Sequence, residues 1–390
     1  LISSILGAPP ALTPYDDNGG YRLLSNAFNI AAPDIINPLN WINEETNKTE
    51  ANLVLANAAV TYKPISDINI KLLTGIENRD DRENMYRTNR YQGSTGEAKI
   101  TANNEQSRLV ELTANYNKIW NERHNFSALA GVTYQDFINS YVMGSGQGFI
   151  SNVSGWDNLG GALVPLVPAS GYNKSTLLSY LARVNYTLDD KYLFTVSFRA
   201  DGSSRYRTDS RWGYFPSGAF AWRVSQEDFM KDHNWISDLK LRVSWGKTGT
   251  QIEDFYPTFN PLAGGYTVFG QDLHLAFAPE TDLPNRDLKW ETTEQIDAGL
   301  DFGVLDNRLV FTADYYRKTT KDLLNAVPLP TSMGYATTFQ NVGQIRNSGV
   351  ELGLNANIFK GDFKWDVTAN IAFNRSKVLK LYAGADIFGD

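Results

Sequence analysis

The sequence predicts an all-β fold, an antiparallel transmembrane β-barrel segment of about twelve strands. Three observations predict it. Apolar and polar residues alternate with period two over stretches of roughly 10 to 14 residues, connections alternate between short and long, and aromatic residues gather near the ends of the stretches.

Alternation is clearest along 363–374. Phe363, Trp365, Val367, Ala369, Ile371 and Phe373 interleave with Lys364, Asp366, Thr368, Asn370, Ala372 and Asn374. Successive strand side chains point to opposite faces, so one face is apolar and the other almost wholly polar. Along 350–358, Val350, Leu352, Leu354, Ala356 and Ile358 share a face against Glu351, Gly353, Asn355 and Asn357. The two stretches predict a hairpin about Lys360-Gly361-Asp362, and similar pairs flank Asn121-Glu122-Arg123, Asp189-Asp190-Lys191 and Asp306-Asn307. Such stretches exceed the ~5 to 6 residues of ordinary strands.

Short turns are expected near 63–66, 120–124, 189–191, 303–308 and 360–362, and long connections near 78–105, 138–174, 201–213, 250–287 and 321–344. This is the layout of an outer-membrane barrel, with short periplasmic turns and long extracellular loops. One longer link on the short-turn side, 225–238, contains Gln226 to Lys231, which suit a short helix.

Aromatic residues form two girdles. Trp120, Phe126, Tyr186, Tyr192, Phe302, Phe363 and Trp365 lie by the turns, and Tyr134, Trp245, Trp290 and Tyr315 by the loops. Amphipathic rings collect at both membrane interfaces. A soluble sandwich with the same rings packed inside is the competing arrangement, and strand length and loop alternation count against it.

In hydrocarbon each unpaired backbone group costs several kcal/mol, so every strand needs two neighbours and the sheet must close. Residues 1–50 read as a long extracellular loop region following a strand outside the sequence, 51–376 as a partial barrel, and 377–390 as the start of a further extracellular loop. Further strands are expected to lie outside the sequence.

Composition excludes several functions. The 390 residues hold no Cys, so no disulfide or thiolate chemistry exists, and a net charge of -7 without a basic stripe speaks against nucleic acid. No apolar run is long enough for a membrane helix. His124, His233 and His274 are too dispersed for a zinc motif, and no serine sits in a nucleophile elbow, so no catalysis and no cofactor are expected. Gly144-Ser145-Gly146-Gln147-Gly148 reads as a flexible external loop, not a phosphate cradle. Arg79-Asp80-Asp81-Arg82-Glu83 offers oxygens for Ca²⁺ but no ligand series, and is expected as a solvated loop tip.

The expected lumen face carries Arg183, Asn185, Arg199, Asp201, Lys240, Arg242, Gln295, Asp297, Asp301, Asp314, Lys318, Glu351, Asn355 and Asn357. Such a polar wall suits water or a passing substrate. In the loops, Trp156, Arg205, Arg211, Trp212 and Tyr214 have rings and guanidinium forks suited to a sugar or peptide, with girdle or loop packing as the alternative. Together with Arg199 and Asp201 they are the candidate substrate-binding set.

Several stretches resemble the SusC/RagA family of TonB-linked outer-membrane proteins of Bacteroidetes. They include Tyr180-Leu181-Ala182-Arg183-Val184-Asn185-Tyr186, Phe198-Arg199-Ala200-Asp201-Gly202-Ser203-Ser204-Arg205 and Arg211-Trp212-Gly213-Tyr214-Phe215-Pro216-Ser217. Further matches are Leu239-Lys240-Leu241-Arg242-Val243-Ser244-Trp245-Gly246 and Asn341-Val342-Gly343-Gln344-Ile345-Arg346-Asn347-Ser348-Gly349-Val350-Glu351. The resemblance implies a Gram-negative outer-membrane barrel of 22 strands blocked by a plug and driven by the TonB-ExbB-ExbD system. A SusD-like surface lipoprotein would cap it, and a glycan or peptide would be its substrate. A barrel adhesin or enzyme, or a soluble secreted β-rich binding protein, are the alternatives.

Overall fold

The computed structural model describes residues 2–8, 11–24, 36–259, 262–279 and 282–381 of the chain. Two helices come first, α1 (Ile2–Gly7) and α2 (Pro38–Glu44). The Asn37 side chain caps α2 by accepting the Leu39 N–H at 3.1 Å, and Pro38 takes a first-turn place where an N–H would lack a partner anyway.

The strands follow as β1 (Glu45–Ile65), β2 (Ile68–Arg87), β3 (Glu97–Trp120), β4 (His124–Phe149), β5 (Ala162–Pro165), β6 (Ala169–Leu188), β7 (Tyr192–Ser203), β8 (Trp212–Arg223) and β9 (Ile236–Thr250). Next are β10 (Leu262–Phe269), β11 (Asp272–Pro279), β12 (Asp282–Leu283), β13 (Glu291–Val304), β14 (Leu309–Lys321), β15 (Leu324–Pro328), β16 (Thr337–Asn341), β17 (Gln344–Lys360) and β18 (Lys364–Lys380). The main sheet runs β1-β2-β3-β4-β6-β7-β8-β9-β13-β14-β17-β18, with β5 on β4. The strands along this path follow one another in chain order, and the expected all-β fold with about twelve wall strands is what forms.

Turn chemistry explains the hairpins. Asn121 and Glu122 have φ of 49° and 58°, and Asp189 and Asp190 have 53° and 54°. Two successive left-handed residues make the turn whose twist matches a right-twisted strand pair. Asn and Asp tolerate that region better than most residues.

Strand length departs from the expected 10 to 14 residues. β1 to β4 are 21, 20, 24 and 26 residues long. At ~3.3 Å per residue, 20 residues span about 66 Å, well beyond a ~30 Å hydrocarbon layer even at a ~45° tilt. Parts of the segments expected as loops at 78–105 and 138–174 are therefore strand. Outside hydrocarbon both faces of a strand meet water, so apolar alternation disappears from the sequence. Arg79-Asp80-Asp81-Arg82-Glu83 lies within β2, not at a loop tip. Arg79 Nε donates to Asp81 Oδ2 at 2.8 Å along one face, while Asn104 Nδ2 of β3 donates to Asp80 Oδ1 at 2.6 Å on the other. Among the described residues no group of three acidic, His or Cys side chains is placed to hold a metal ion.

Gly144 to Gly148 likewise belongs to β4, where Gly146 and Gln147 pair with Pro165 and Val164 of β5. A Cβ on Gly146 would lie 2.6 Å from that of Ala162, so close strand approach, not flexibility, requires the glycine. The link at 225–238 holds two 3-10 turns, Val224–Gln226 and Asp228–Met230, in place of an α-helix. Within the long connections, β10 and β11 form their own hairpin, and β12, β16 and β15 a three-stranded sheet. The segment read as loop up to residue 50 is helical at α2 and enters β1 at Glu45, while β18 carries strand to Lys380; residues 382–390 lie outside the described set.

Two compact units make up the chain: 1–57 with 75–108 and 137–174, and 58–74 with 109–136 and 175–390. The first has a small core of Tyr86, Ala98 and Phe149, with Trp156, Leu159 and Ala162 packed against it. The second buries Tyr206, Phe215, Ile252, Leu288 and Trp290 among its long connections. Its sheet does the reverse: Val196 is 63% exposed, Ile371 51% and Phe373 59%. A sandwich would cover that face, and an uncovered apolar face of this extent needs lipid as its solvent.

Candidate functional site

Register in the second unit sorts the side chains into two sets. On one face Phe220 is opposite Val243, Trp245 opposite Ile296, Phe311 opposite Leu354 and Val350 opposite Phe373. On the other, a single row crosses from β6 to β14 as Arg183, Ser197, Ser217, Gly246, Gln295 and Lys318. The residues expected on a lumen wall all fall on this second face. A one-residue slip would exchange the two sets, so burial of one face in lipid fixes the register.

Small residues in that row leave a groove of about 610 Å³ lined by Arg183, Ser197, Arg199, Ser217, Thr248 and Asp297, among others. Its charges are held in place. Arg199 Nε donates to both Asp201 oxygens at 2.8 Å, and its Nη2 to Ser179 Oγ at 3.1 Å. Asp297 accepts from Ser244 Oγ at 3.0 Å and Gln295 Nε2 at 2.7 Å. Beside the groove, Arg242 forks onto Asp301 at 2.9 and 2.8 Å and reaches Asp314 at 3.0 Å. Arg183 and Lys318 have no ion-pair partner among the described residues, which leaves two cations for a ligand.

The candidate substrate-binding residues separate. Arg199 and Asp201 line the groove. Arg205 is buried, its Nη1 donating to the carbonyls of Ile252, at 2.7 Å, and Glu253, with its guanidinium 4.7 Å from the Phe255 ring centre. Burial pulls its pKa down, and the nearby Asp254 charge opposes the shift. Arg211 gives its carbonyl to Trp290 Nε1 at 2.9 Å. Trp212 stacks on Tyr180 and Tyr214 on Phe198, both on the apolar face, in a girdle at the loop end. Trp156 packs on the Tyr86 and Phe149 cluster of the first unit. Ser197, Ser217 and Thr248 escaped the sequence reading because small polar residues give no signal until register stacks them.

The sequence also matches a family profile described as TonB dependent receptor-like, beta-barrel, over residues 4–389. The chain belongs to that family. Among relatives of this receptor chain, the TonB-dependent receptor P3 of Formosa agariphila is 35% identical over 394 residues, covering 100% of the chain and 39% of P3. The TonB-dependent receptor SusC of Bacteroides thetaiotaomicron is 43% identical over 223 residues, covering 55% of the chain and 22% of SusC. Among solved structures, the RagAB peptide transporter superposes with a TM-score of 0.82 at 27% identity, over 95% of the receptor chain and 41% of the transporter chain. The receptor chain thus spans about two fifths of the length of P3. Its relatives are receptors, not enzymes, and its place is the outer membrane.

Proposed function

We propose that the complete protein imports a nutrient oligomer, a glycan or a peptide, across the outer membrane. The two-faced sheet carries this reading. One face needs lipid, while the other combines an open groove with fixed charges of both signs and two cations, Arg183 and Lys318, that have no ion-pair partner among the described residues. A solute with carboxylates, amides or hydroxyls finds partners there without the wall having to reorganise. Arg199 and Asp201 are the substrate contacts in this reading. Trp212 and Tyr214 anchor the sheet at the interface, and Arg205, Arg211 and Trp156 hold the connections.

SusC and the RagAB peptide transporter support import through a partnered, TonB-linked machine. Applied here, that means a 22-stranded barrel with a plug, energy from TonB-ExbB-ExbD and a SusD-like lipoprotein as lid. Deleting the complete gene should abolish growth on one oligosaccharide or peptide pool as sole nutrient, and restoring it should rescue growth only when ExbB is present. Pull-down of the complete receptor should bring a surface lipoprotein with it. Unchanged growth on every oligosaccharide and peptide pool would overturn the import reading.

A further inference from the structure

Past the loop-side rim of the apolar band, the same face changes character. Trp245, Ile296, Tyr315, Val350 and Phe373 form that rim on β9, β13, β14, β17 and β18. The next positions on that face toward the long connections carry Lys247, Arg317, Lys321, Arg346, Arg375 and Lys377. Glu294 is their single carboxylate, and it already accepts from Trp245 Nε1 at 2.9 Å and Lys321 Nζ at 3.4 Å. Lys247 Nζ lies 5.8 Å from the Trp245 ring centre, which keeps it on this face.

The four remaining cations are close neighbours. Arg346 is directly opposite Lys377 and Ser348 directly opposite Arg375, while Arg317 is opposite Ser348 on the next strand. Adjacent strands lie ~4.8 Å apart, and next positions on a face ~6.7 Å. Among the described residues none of these four has an ion-pair partner, and the Nε of Arg346 is buried without a hydrogen bond. Four unpaired like charges repel one another, and no carboxylate among the described residues is paired with them to offset that cost. The opposite face, by contrast, mixes Arg242 and Lys240 with Asp301 and Asp314. Single-sign charge is thus confined to the lipid side, one or two positions beyond an aromatic rim, where headgroups lie.

We propose that this belt binds the phosphate groups of an anionic outer-leaflet glycolipid. Guanidinium forks match phosphate oxygens, the aromatic rim below them takes the acyl boundary, and the ligand supplies the negative charge that the sheet lacks. The inference rests on the lipid-facing assignment and not on what is imported, so it and the import reading fail separately.

The test uses the complete receptor in neutral detergent, titrated with monophosphorylated lipid A and with its dephosphorylated form, with binding read by native mass spectrometry. The phosphorylated form should bind, and the triple variant Arg317→Gln, Arg346→Gln, Arg375→Gln should weaken it by on the order of tenfold or more while leaving the dephosphorylated form unchanged. Arg183→Gln with Lys318→Gln, on the other face, should leave both unchanged. Should the triple variant not fold, Arg375→Gln on the exposed strand β18 is read alone, with a smaller loss in the same direction. Equal binding of both lipid forms, equal binding by wild type and variant, or full displacement by inorganic phosphate would overturn the proposal.

Discussion

Arg242 reaches Asp314 across the bare backbone of Gly299, with Nη2 3.0 Å from Oδ1. A Cβ on Gly299 would stand 2.3 Å from that oxygen and 2.8 Å from the guanidinium carbon. Two effects of Gly299→Ala therefore oppose each other. Alanine in a strand gains roughly 0.5 to 1 kcal/mol over glycine, and displacing a water-facing ion pair loses at most about 1 kcal/mol. The substitution should be near neutral in the wild type and stabilising by roughly 0.5 to 1 kcal/mol in an Asp314→Ala background. Urea titration of the complete receptor in detergent gives both numbers. Identical effects in the two backgrounds would show that the glycine does not serve the pair.

Leu354 and Asn355 are adjacent and on opposite faces. Leu354 stands between Phe311 and Ala369 on the apolar side, while Asn355 Oδ1 accepts from Thr368 Oγ1 at 3.0 Å on the polar side. Leu354→Arg should cost about 2 to 4 kcal/mol at mid-membrane depth, and Asn355→Arg clearly less. Refolding into lipid vesicles measures the difference, and equal costs would reverse the assignment of faces.

What the sequence revealed follows the same division. Where one face meets lipid and the other water, as in β13, β14, β17 and β18, alternation shows face and turn, down to Asp306-Asn307. β2 from about residue 78 and β4 from about residue 138 read as loop in the sequence because their two faces share one solvent, so Arg79 and Asp81 look like a charge run although they form a ladder on one face. The groove was half legible. Arg199 and Asp201 announced themselves by charge, whereas Ser197 and Ser217, 2.6 Å apart between hydroxyls, became neighbours only through register. Arg205 looked like a loop cation free to bind because burial by Phe255 and Ile252, some 50 residues later, leaves no local trace.

Glu227 ties the short-turn side together. Tyr192 Oη and Trp222 Nε1 donate to its Oε1 at 2.5 and 3.0 Å, and Lys191 Nζ donates to Oε2 at 3.0 Å. The tyrosine hydroxyl above all, then the indole and the ammonium, hold its carboxyl down from 4.5 to about 2. A depressed carboxylate contributes stability above its unfolded pKa and loses it as pH falls through the folded one. Glu227→Gln should therefore be less stable than wild type by a constant margin from about pH 8 to about pH 5, and the margin should close between 4.5 and about 2. Urea midpoints of the two proteins in detergent across that range test it, and a margin independent of pH would mean that the negative charge is not what matters.

Tyr206 is fully buried among the long connections, packed on Trp290 at 5.5 Å between ring centres, and its hydroxyl accepts the Ile252 N–H at 2.9 Å. Tyr206→Phe keeps the ring and removes the acceptor, leaving a buried N–H unsatisfied at a cost of about 1 to 3 kcal/mol. That loss falls on the connection after β9, which Arg205 also clasps through Ile252 and Glu253. Burial also pushes the Tyr206 hydroxyl up to about 12, so its contribution is complete below about pH 10 and fades as pH rises through 12. Protease nicking between residues 251 and 259 should thus speed up in Tyr206→Phe at neutral pH while the sheet stays resistant. Nicking at the wild-type rate would show that Arg205 alone holds the segment.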